Sequence, residues 1–165
     1  MILDSETKAV EHSDDHGDEL RLWLRLLTCT TLIEGEVRGR LRERFDVTLP
    51  RFDLMAQLDK VPDGMTLSDV SKRMMVSNGN VTGITDQLVA EELVERVNVE
   101  GDRRAWRVRL TTRGRKLFID MAQQHEAWIV EAFAGLNAKE ISQLHKLLGK
   151  VKQHTTPFTT TTETA

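Results

Sequence analysis

The spacing of apolar residues changes partway along this chain, and that change restricts the folds it can adopt. Across residues 66–90 apolar residues recur every three to four positions, which is typical of amphipathic helices. Across residues 94–110 they alternate with polar residues around a turn at residues 100–103, which predicts a two-stranded hairpin with a basic tip. A short helix, a tight turn, a second helix and a hairpin together predict a winged helix-turn-helix.

Helical spacing also surrounds this central segment. An apolar stripe begins with Leu20, Trp23, Leu24 and Leu27, and two further helices follow the hairpin. The predicted fold is therefore mainly α, with a small β-wing and helices at both ends. The predicted boundaries are a disordered acidic arm at 1–17, dimerisation helices at 18–48 and 112–153, a winged helix-turn-helix DNA-binding domain at 50–111, and a disordered tail at 154–165.

The two sets of terminal helices predict a homodimer. They are amphipathic and far apart in sequence, and packed within one chain they would cover each other only in part. A two-fold dimer would bury the remainder, which includes Leu20, Trp23, Ile141, Leu144 and Leu148. The alternative is a monomer whose terminal helices form a local bundle.

The net charge of the chain conceals an uneven distribution. The total is −3, but residues 1–19 hold seven acidic residues and one lysine, so the remaining chain carries +3. Residues 100–116 hold seven basic residues and two acidic ones, a net +5. A basic hairpin beside a helix-turn-helix favours a nucleic-acid partner over an ordinary solvated face.

Several functional classes are disfavoured by what the sequence omits. No apolar run is long enough to cross a membrane, no secretory signal is visible, and the single Cys29 rules out an intramolecular disulfide, so a cytoplasmic protein is expected. No phosphate-binding loop or nucleophilic triad context appears, so neither an enzyme nor a cofactor is predicted. No metal site is predicted, because residues 12–16 and the pair His125 and Glu126 supply too few well-placed ligands.

The second helix of the motif is the predicted reader of a DNA major groove, which is wide enough for one helix. It holds no lysine or arginine between Ser77 and Glu91, so phosphate contacts have to come from the preceding helix and the hairpin. The predicted DNA-contacting residues are Lys72, Arg73, Ser77, Asn78, Asn80, Thr82, Thr85, Asp102, Arg103, Arg104 and Arg107. The alternative is a winged helix that binds another protein.

The hairpin carries a family resemblance. Residues 102–111 read D-R-R-A-W-R-V-R-L-T, with Gly114 three positions further on, which resembles the wing signature of the MarR family of bacterial transcriptional regulators. Residues 80–82, Leu88 and residues 93–96 match the preceding helix of that family in order. The resemblance extends over about residues 20–153. It implies an obligate homodimer that represses by binding a pseudo-palindromic double-stranded operator and is released by a small ligand.

The resemblance also implies roles for single residues. Asp102 would hold Arg104 in position at the wing, and Arg104 would enter the minor groove. The sequence departs from the pattern at Glu92, where the family usually has the left-handed glycine that ends the recognition helix. The geometry of that helix end is therefore left open.

A ligand site is implied in the crevice between the dimer helices and the winged domain. The residues predicted to bind the effector are Arg38, Arg42, Phe52, Met55, His125 and Trp128. Apolar walls with arginines on the rim suit an aromatic or anionic effector. Residues 81–88 and 125–128 resemble the branch of the family that controls aromatic-acid catabolism, which suggests an aromatic acid or its acyl-CoA thioester. The alternative for these residues is ordinary core packing or a solvated surface.

Redox sensing through Cys29 is a further alternative. A sensor thiol needs nearby cations or hydrogen-bond donors, and Cys29 lies among leucines and threonines. The peroxide-sensing relatives pair this cysteine with tyrosines, and the present chain has no tyrosine.

Overall fold

The computed structural model describes residues 17–99 and 102–155, with Val99 and residues 102–105 described by their backbone only. The elements, in chain order, are α1 (Gly17–Phe45), α2 (Leu49–Asp59), α3 (Leu67–Met74), α4 (Asn78–Ala90), β1 (Val94–Val99), β2 (Asp102–Leu110), α5 (Thr112–Ala132) and α6 (Ala138–His154). The predicted class, mainly α with a small β-wing, is confirmed. The predicted acidic arm before Gly17 and the tail beyond Thr155 lie outside the described residues.

The helix-turn-helix is set by two capping residues and a left-handed turn. Thr66 caps α3, because its hydroxyl accepts a hydrogen bond from the Asp69 backbone N–H at 3.2 Å. Ser77 caps α4 in the same way, accepting from the Asn80 N–H at 3.4 Å. Between the two helices, Met75 has a φ of 55°, which ends α3 and reverses the chain. The predicted tight turn near Met75 is confirmed.

The wing is an antiparallel hairpin whose register fixes which side chains face outward. Val94 pairs with Leu110, Arg96 with Val108, and Val97 with Arg107. The second strand begins at Asp102, so the prediction that Asp102 and Arg103 form the turn is wrong. The physical reason is that the backbone pairing continues to Val99 and Asp102 through an irregularity at residues 98–99.

The first of two compact units of the chain extends to Ala127 and contains the winged helix. Its core is built from apolar residues of α1–α5 and both strands, namely Val37, Leu41, Val47, Phe52, Leu54, Met55, Leu58, Met65, Val70, Val81, Leu88, Leu93, Val94, Val108, Leu110, Phe118 and Met121. Gly114 in α5 packs directly on the segment that follows α4. A Cβ at this position would lie 1.9 Å from the Leu93 carbonyl oxygen, so no other residue fits without a backbone shift.

The end of the recognition helix keeps a left-handed geometry without the expected glycine. Glu92 has a φ of 59°. The bend is held by hydrogen bonds on both sides, because the Leu93 N–H donates to the Leu88 carbonyl at 2.9 Å and the Thr111 hydroxyl donates to the Glu92 carbonyl at 2.7 Å. The question that the sequence left open at Glu92 is thus answered: the family geometry is retained, with a glutamate in a strained conformation.

The second unit begins at Trp128 and contains the end of α5 and the whole of α6. Asn137 starts α6 with a capping box, because its side chain accepts from the Glu140 N–H at 3.1 Å while Glu140 accepts from the Asn137 N–H at 2.8 Å. Two predicted limits shift by one residue: Gly17 belongs to α1, and His154 is the last residue of α6. None of the helices in the described residues combines the length and apolarity needed to cross a bilayer.

Candidate nucleic-acid interface

The outward face of α4 is polar, and its one charged residue, Asp86, is engaged in an ion pair. Asn78, Asn80 and Thr82 are exposed, as predicted, and so are Asp86 and Gln87. Among the outward groups, the Thr82 hydroxyl donates to the Asn78 carbonyl at 2.9 Å. Asp86 forms an ion pair with Arg96 of β1, which ties α4 to the wing. No lysine or arginine lies between Asn78 and Ala90.

Thr85 corrects the predicted set of DNA-contacting residues. It was expected to point outward, but its relative exposure is 0%. The cause is helical phase: Thr85 shares the inner face of α4 with Val81 and Leu88, which are also wholly buried. Its hydroxyl has no hydrogen-bond partner among the described residues. Thr85 is therefore a core residue, and we remove it from the candidate interface.

Three cations line one cleft between α3 and β2. Lys72 and Arg73 project from the last turn of α3, and Arg107 projects from β2. Together they line a cavity of about 440 Å³, whose lining residues are Val61, Gly64, Met65, Thr66, Asp69, Lys72, Arg73 and Arg107. We call this the cation cleft.

The cations of the cleft carry no ion pair within the described part of the chain. All three are exposed. The other arginines near the wing differ, because Arg109 pairs with Glu95 at 2.7 Å and Arg115 pairs with Asp59 at 2.8 Å. The cleft therefore concentrates positive charge that is available to an anionic partner.

The tip of the wing falls partly outside the described residues. The side chains of Asp102, Arg103 and Arg104 are among those that are not described, and so are residues 100–101. The backbone of Asp102 pairs with Val99, which places the start of β2 at the far end of the hairpin from Leu110. The contact of Asp102 with Arg104 and the entry of Arg104 into a minor groove stay predictions.

A network that sequence reasoning missed holds the end of α4. Arg51 of α2, whose side chain is only 12% exposed, forms an ion pair with Glu91, the residue that caps the end of α4. Arg113 of α5 donates to the Glu91 carbonyl at 3.1 Å and approaches the Glu92 carboxylate at 3.6 Å. The partners are 40 and 22 residues apart in sequence, so no local pattern could have indicated these contacts.

A cavity of about 340 Å³ adjoins this network. Its lining residues are Phe45, Asp46, Val47, Arg51, Glu91, Leu93, Arg113 and Leu117. The wall combines apolar side chains with two guanidinium groups and two carboxylates, those of Asp46 and Glu91. The Nε of Arg51 is buried and has no hydrogen-bond partner among the described residues, so one donor of the site is left unsatisfied.

The six residues predicted to bind an effector are divided between core and surface. Phe52, Met55 and Trp128 are buried, at 6%, 0% and 5% exposure, and the ring of Phe52 lies 5.0 Å from that of His125. Arg38 and Arg42 are exposed, and Arg38 approaches Glu34 at 3.8 Å. None of the six lines the cavity beside Arg51 or the cation cleft. Their role in ligand binding stays a prediction.

Asp53 and Cys29 are the remaining reactive groups of note. The pKa of the Asp53 carboxyl lies above its usual value, mainly because burial disfavours the charged form. The nearby His125 partly offsets this rise, and Glu34 adds to it. Cys29 is exposed on α1 and forms no disulfide. Among residues 17–99 and 102–155 no cluster of three or more histidine, cysteine or acidic residues could hold a metal ion. The histidine-rich stretch at residues 12–16 lies outside the described residues.

Comparison with known proteins finds a family similarity in the winged helix. The family model described as "MarR family" matches residues 47–106, which contain α2, α3, α4, β1 and the start of β2. This part of the chain is similar to the MarR family. The prediction made from the wing signature is therefore confirmed, whereas the comparisons do not assign the chain to the aromatic-acid branch of the MarR family.

Several similar proteins match this chain over most of their length. The transcriptional activatory protein BadR of Rhodopseudomonas palustris is 28% identical over 146 residues, which are 85% of this chain and 83% of BadR. FabT of Streptococcus pneumoniae, solved in complex with DNA, has a TM-score of 0.72 and 28% identity, covering 82% of this chain and 96% of FabT. A mutant of MarR from E. coli, solved with operator DNA, has a TM-score of 0.73 and 25% identity, covering 84% of this chain and 99% of the MarR chain. These are regulators, in agreement with the prediction that the chain is not an enzyme.

Proposed function

We propose that this chain is a DNA-binding transcriptional repressor that acts on a pseudo-palindromic operator. The observation that carries the proposal is the pairing of two surfaces on one winged helix. The outward face of α4 offers hydrogen-bonding side chains of a size that suits base edges, and the cation cleft between α3 and β2 offers positive charge that no described residue pairs and that suits phosphates. The similar structures of FabT and MarR were both solved with DNA, which supports the same use here.

Within this proposal the predicted contact residues have separate tasks. Lys72, Arg73 and Arg107 bind phosphates, because their positive charges neutralise the DNA backbone. These contacts are the same for every DNA sequence. Ser77, Asn78, Asn80 and Thr82 lie at the start of α4, the part of a recognition helix that reaches base edges. Arg103 and Arg104 bind the adjacent minor groove, with Asp102 holding Arg104 in position.

We also propose that the chain acts as a homodimer through its terminal helices. On α1, Leu20, Trp23 and Leu27 are 38%, 58% and 48% exposed and lie on one face. On α6, which has no buried residue in the single chain, Ile141, Leu144, Leu148 and Val151 are 36–44% exposed and also lie on one face. Apolar faces of this kind are usually covered by a partner, and a second copy presents two recognition helices to two half-sites.

The dimer is tested by sedimentation equilibrium. The wild-type chain should sediment at twice its mass of 18.8 kDa. The double variant Leu144→Glu with Leu148→Glu should sediment as a monomer, because it places charge on the apolar face of α6. The matched control is Lys146→Glu with Lys150→Glu, on the same helix but away from that face, and it should remain dimeric. A wild-type chain that sediments as a monomer would refute the proposal.

Operator binding is tested on the DNA upstream of the gene that encodes the chain. Footprinting should protect a pseudo-palindrome whose half-sites are about one helical turn apart, and the affinity should fall steeply as salt rises. A promoter fusion carrying that site should be more active when the regulator is deleted. A stable protein partner recovered by pull-down, with no protected DNA, would instead support the protein-binding alternative.

Activation is a second candidate, because the relative BadR is named a transcriptional activatory protein. The same promoter fusion separates the two. Expression that falls on deletion of the regulator indicates activation, and expression that rises indicates repression.

We propose, finally, that a small aromatic or anionic ligand releases the regulator from DNA. The cavity of about 340 Å³ beside Arg51 is the candidate site, because its lining joins apolar side chains to the guanidinium groups of Arg51 and Arg113, which an anion would have to share with Glu91 and Glu92. Aromatic acids and their acyl-CoA thioesters are the candidates. Benzoate and benzoyl-CoA should raise the melting temperature and weaken operator binding, whereas the neutral isostere benzamide should do neither. Equal effects of benzoate and benzamide would exclude recognition of the anion.

A further inference from the structure

We infer that α4 selects A·T base pairs in the major groove and does not read guanine. This inference rests on the proposed function, since it names the sequence class that the same surface would recognise. Direct readout of guanine uses lysine or arginine donors aimed at O6 and N7, and such contacts are the commonest specific ones. Among residues 78–90 there is no such donor.

The side chains that α4 does present match adenine and thymine. Asparagine and glutamine can bind the N6 and N7 of adenine with two hydrogen bonds. Asn80 and Gln87 are both exposed and, together with Gly79 and Gly83, form the α4 wall of a cavity whose other wall includes Pro50 and Arg51 of α2. A Cβ added at either glycine would have no atom within 4 Å, so the helix backbone on that side is clear for a close approach to the bases. Gln87 was not among the residues predicted from the sequence.

The charged residues at the edge of this surface are already engaged. Asp86 could in principle accept a hydrogen bond from cytosine, but its carboxylate is paired with Arg96. Arg96 could in principle donate to guanine, but its guanidinium is held by Asp86, and both belong to the junction of α4 with β1. The pair therefore engages two groups at the edge of α4 that could otherwise read a G·C base pair. Arg51, which lines the same cavity as Asn80 and Gln87, is likewise engaged, because it is paired with Glu91.

An apolar group stands at the start of α4. Met75 is 92% exposed, and Val76 next to it is 37% exposed. Both precede the N-terminal end of the recognition helix, the end that approaches base edges most closely. Thymine is the base that displays a methyl group in the major groove, and apolar side chains contact that methyl. The apolar turn and the amides of α4 thus favour the same base pair.

The inference is tested with the full chain and a pool of random duplexes. Selection should enrich sites whose half-site centres are A·T pairs. In the enriched site, replacing one contacted adenine by 7-deazaadenine should lower affinity about 10-fold, because it removes the N7 acceptor. Replacing guanines of the same half-site by 7-deazaguanine should change affinity less than about twofold. A loss of tenfold or more on guanine replacement would overturn the inference.

Variants assign the preference to side chains. Asn80→Ala and Gln87→Ala should each relax the base preference at one position, while Gln123→Ala, an exposed glutamine on α5, should leave the preference unchanged. Gln87→Arg should shift one position toward guanine. Enrichment of G·C pairs that is lost in Arg96→Gln would show that Arg96 reads guanine and would overturn the inference alone. Absence of salt-dependent binding to every duplex would overturn the proposed function as well.

Discussion

The outward face of α4 and the cation cleft lie on the same winged helix, but the first is mostly uncharged and the second is positively charged. The face of α4 has amides, hydroxyls and glycines, and its one carboxylate is paired with Arg96. The cleft has Lys72, Arg73 and Arg107, none of which forms an ion pair with a described residue. Neutral donors and acceptors distinguish bases, whereas unpaired cations attract any phosphate backbone.

This difference indicates a division of labour. In many recognition helices one arginine contributes to both affinity and sequence choice, so the two properties change together. Here the structure separates them, because the cations come from α3 and β2 and the base-reading groups from α4. Substitutions on the two surfaces should therefore change different measured quantities.

The largest effect is expected at Gly114, where α5 packs closely against the backbone between α4 and β1. Gly114→Ala places a Cβ 1.9 Å from the Leu93 carbonyl oxygen, where α5 meets the segment between α4 and β1. We expect the free energy of unfolding to fall by about 3 kcal/mol or more, measured by urea denaturation. The matched control is Gly35→Ala in α1, where the added Cβ meets no atom within 4 Å and should stabilise the helix by up to about 1 kcal/mol. Equal stability of the two variants would contradict the packing described for α5.

A smaller effect, of opposite sign, is expected at Gly83 on the outward face of α4. Gly83→Ala should raise the free energy of unfolding by about 1 kcal/mol, because alanine is the better helix former and the site is open. The same methyl group should lower operator affinity severalfold if the helix backbone approaches the bases. Urea denaturation and titration with labelled operator measure the two quantities. An unchanged affinity would show that the glycine side of α4 does not face DNA.

The two threonines of α4 separate its inner face from its outer face. Thr85→Val should raise stability by about 1 kcal/mol, because it removes a buried hydroxyl that has no partner among the described residues. Operator affinity should not change. Thr82→Val, on the exposed side, should leave stability within about 0.5 kcal/mol and should weaken operator binding. A loss of affinity in Thr85→Val would return Thr85 to the interface.

The smallest effect is expected at Glu92. Glu92→Gly relieves the left-handed backbone at a φ of 59° but adds freedom to the unfolded chain, so the net gain should be about 0.5 kcal/mol. Its ion pair with Arg113, at 3.6 Å and well exposed, should contribute little. A lower melting temperature in the glycine variant would contradict this, because it would mean that the Glu92 side chain stabilises the fold by more than its left-handed backbone destabilises it.

Local sequence signals were enough to predict much of this fold. The caps Thr66 and Ser77, the turn near Met75 and the change to strand spacing at Val94 all depend on residues close together in the chain. The wing signature added the resemblance to the MarR family. These features could be predicted because helix capping and side-chain periodicity are local properties.

The parts that could not be predicted depend on contacts between distant residues. Arg51 and Glu91 meet across 40 residues, and their pairing follows from the packing of α2 on the end of α4. The pairing of the arginines is equally non-local, since Arg109 and Arg115 have acidic partners whereas Arg107 has none among the residues that the structure describes. For Thr85, the polar side chain suggests an outward position, whereas the helical spacing from Val81 to Leu88 predicts an inward one. The structure shows that the helical spacing is the correct guide.

The salt dependence of DNA binding tests the division of labour most directly. Affinities of the wild-type chain and of Lys72→Gln, Arg73→Gln, Arg107→Gln combined should be measured at several salt concentrations, on an operator and on a scrambled duplex. The slope of log affinity against log salt should become shallower by about 0.9 for each phosphate contact removed, and equally so on both duplexes. The ratio of operator to scrambled affinity should stay the same. An unchanged slope, or a loss confined to the operator, would contradict the account.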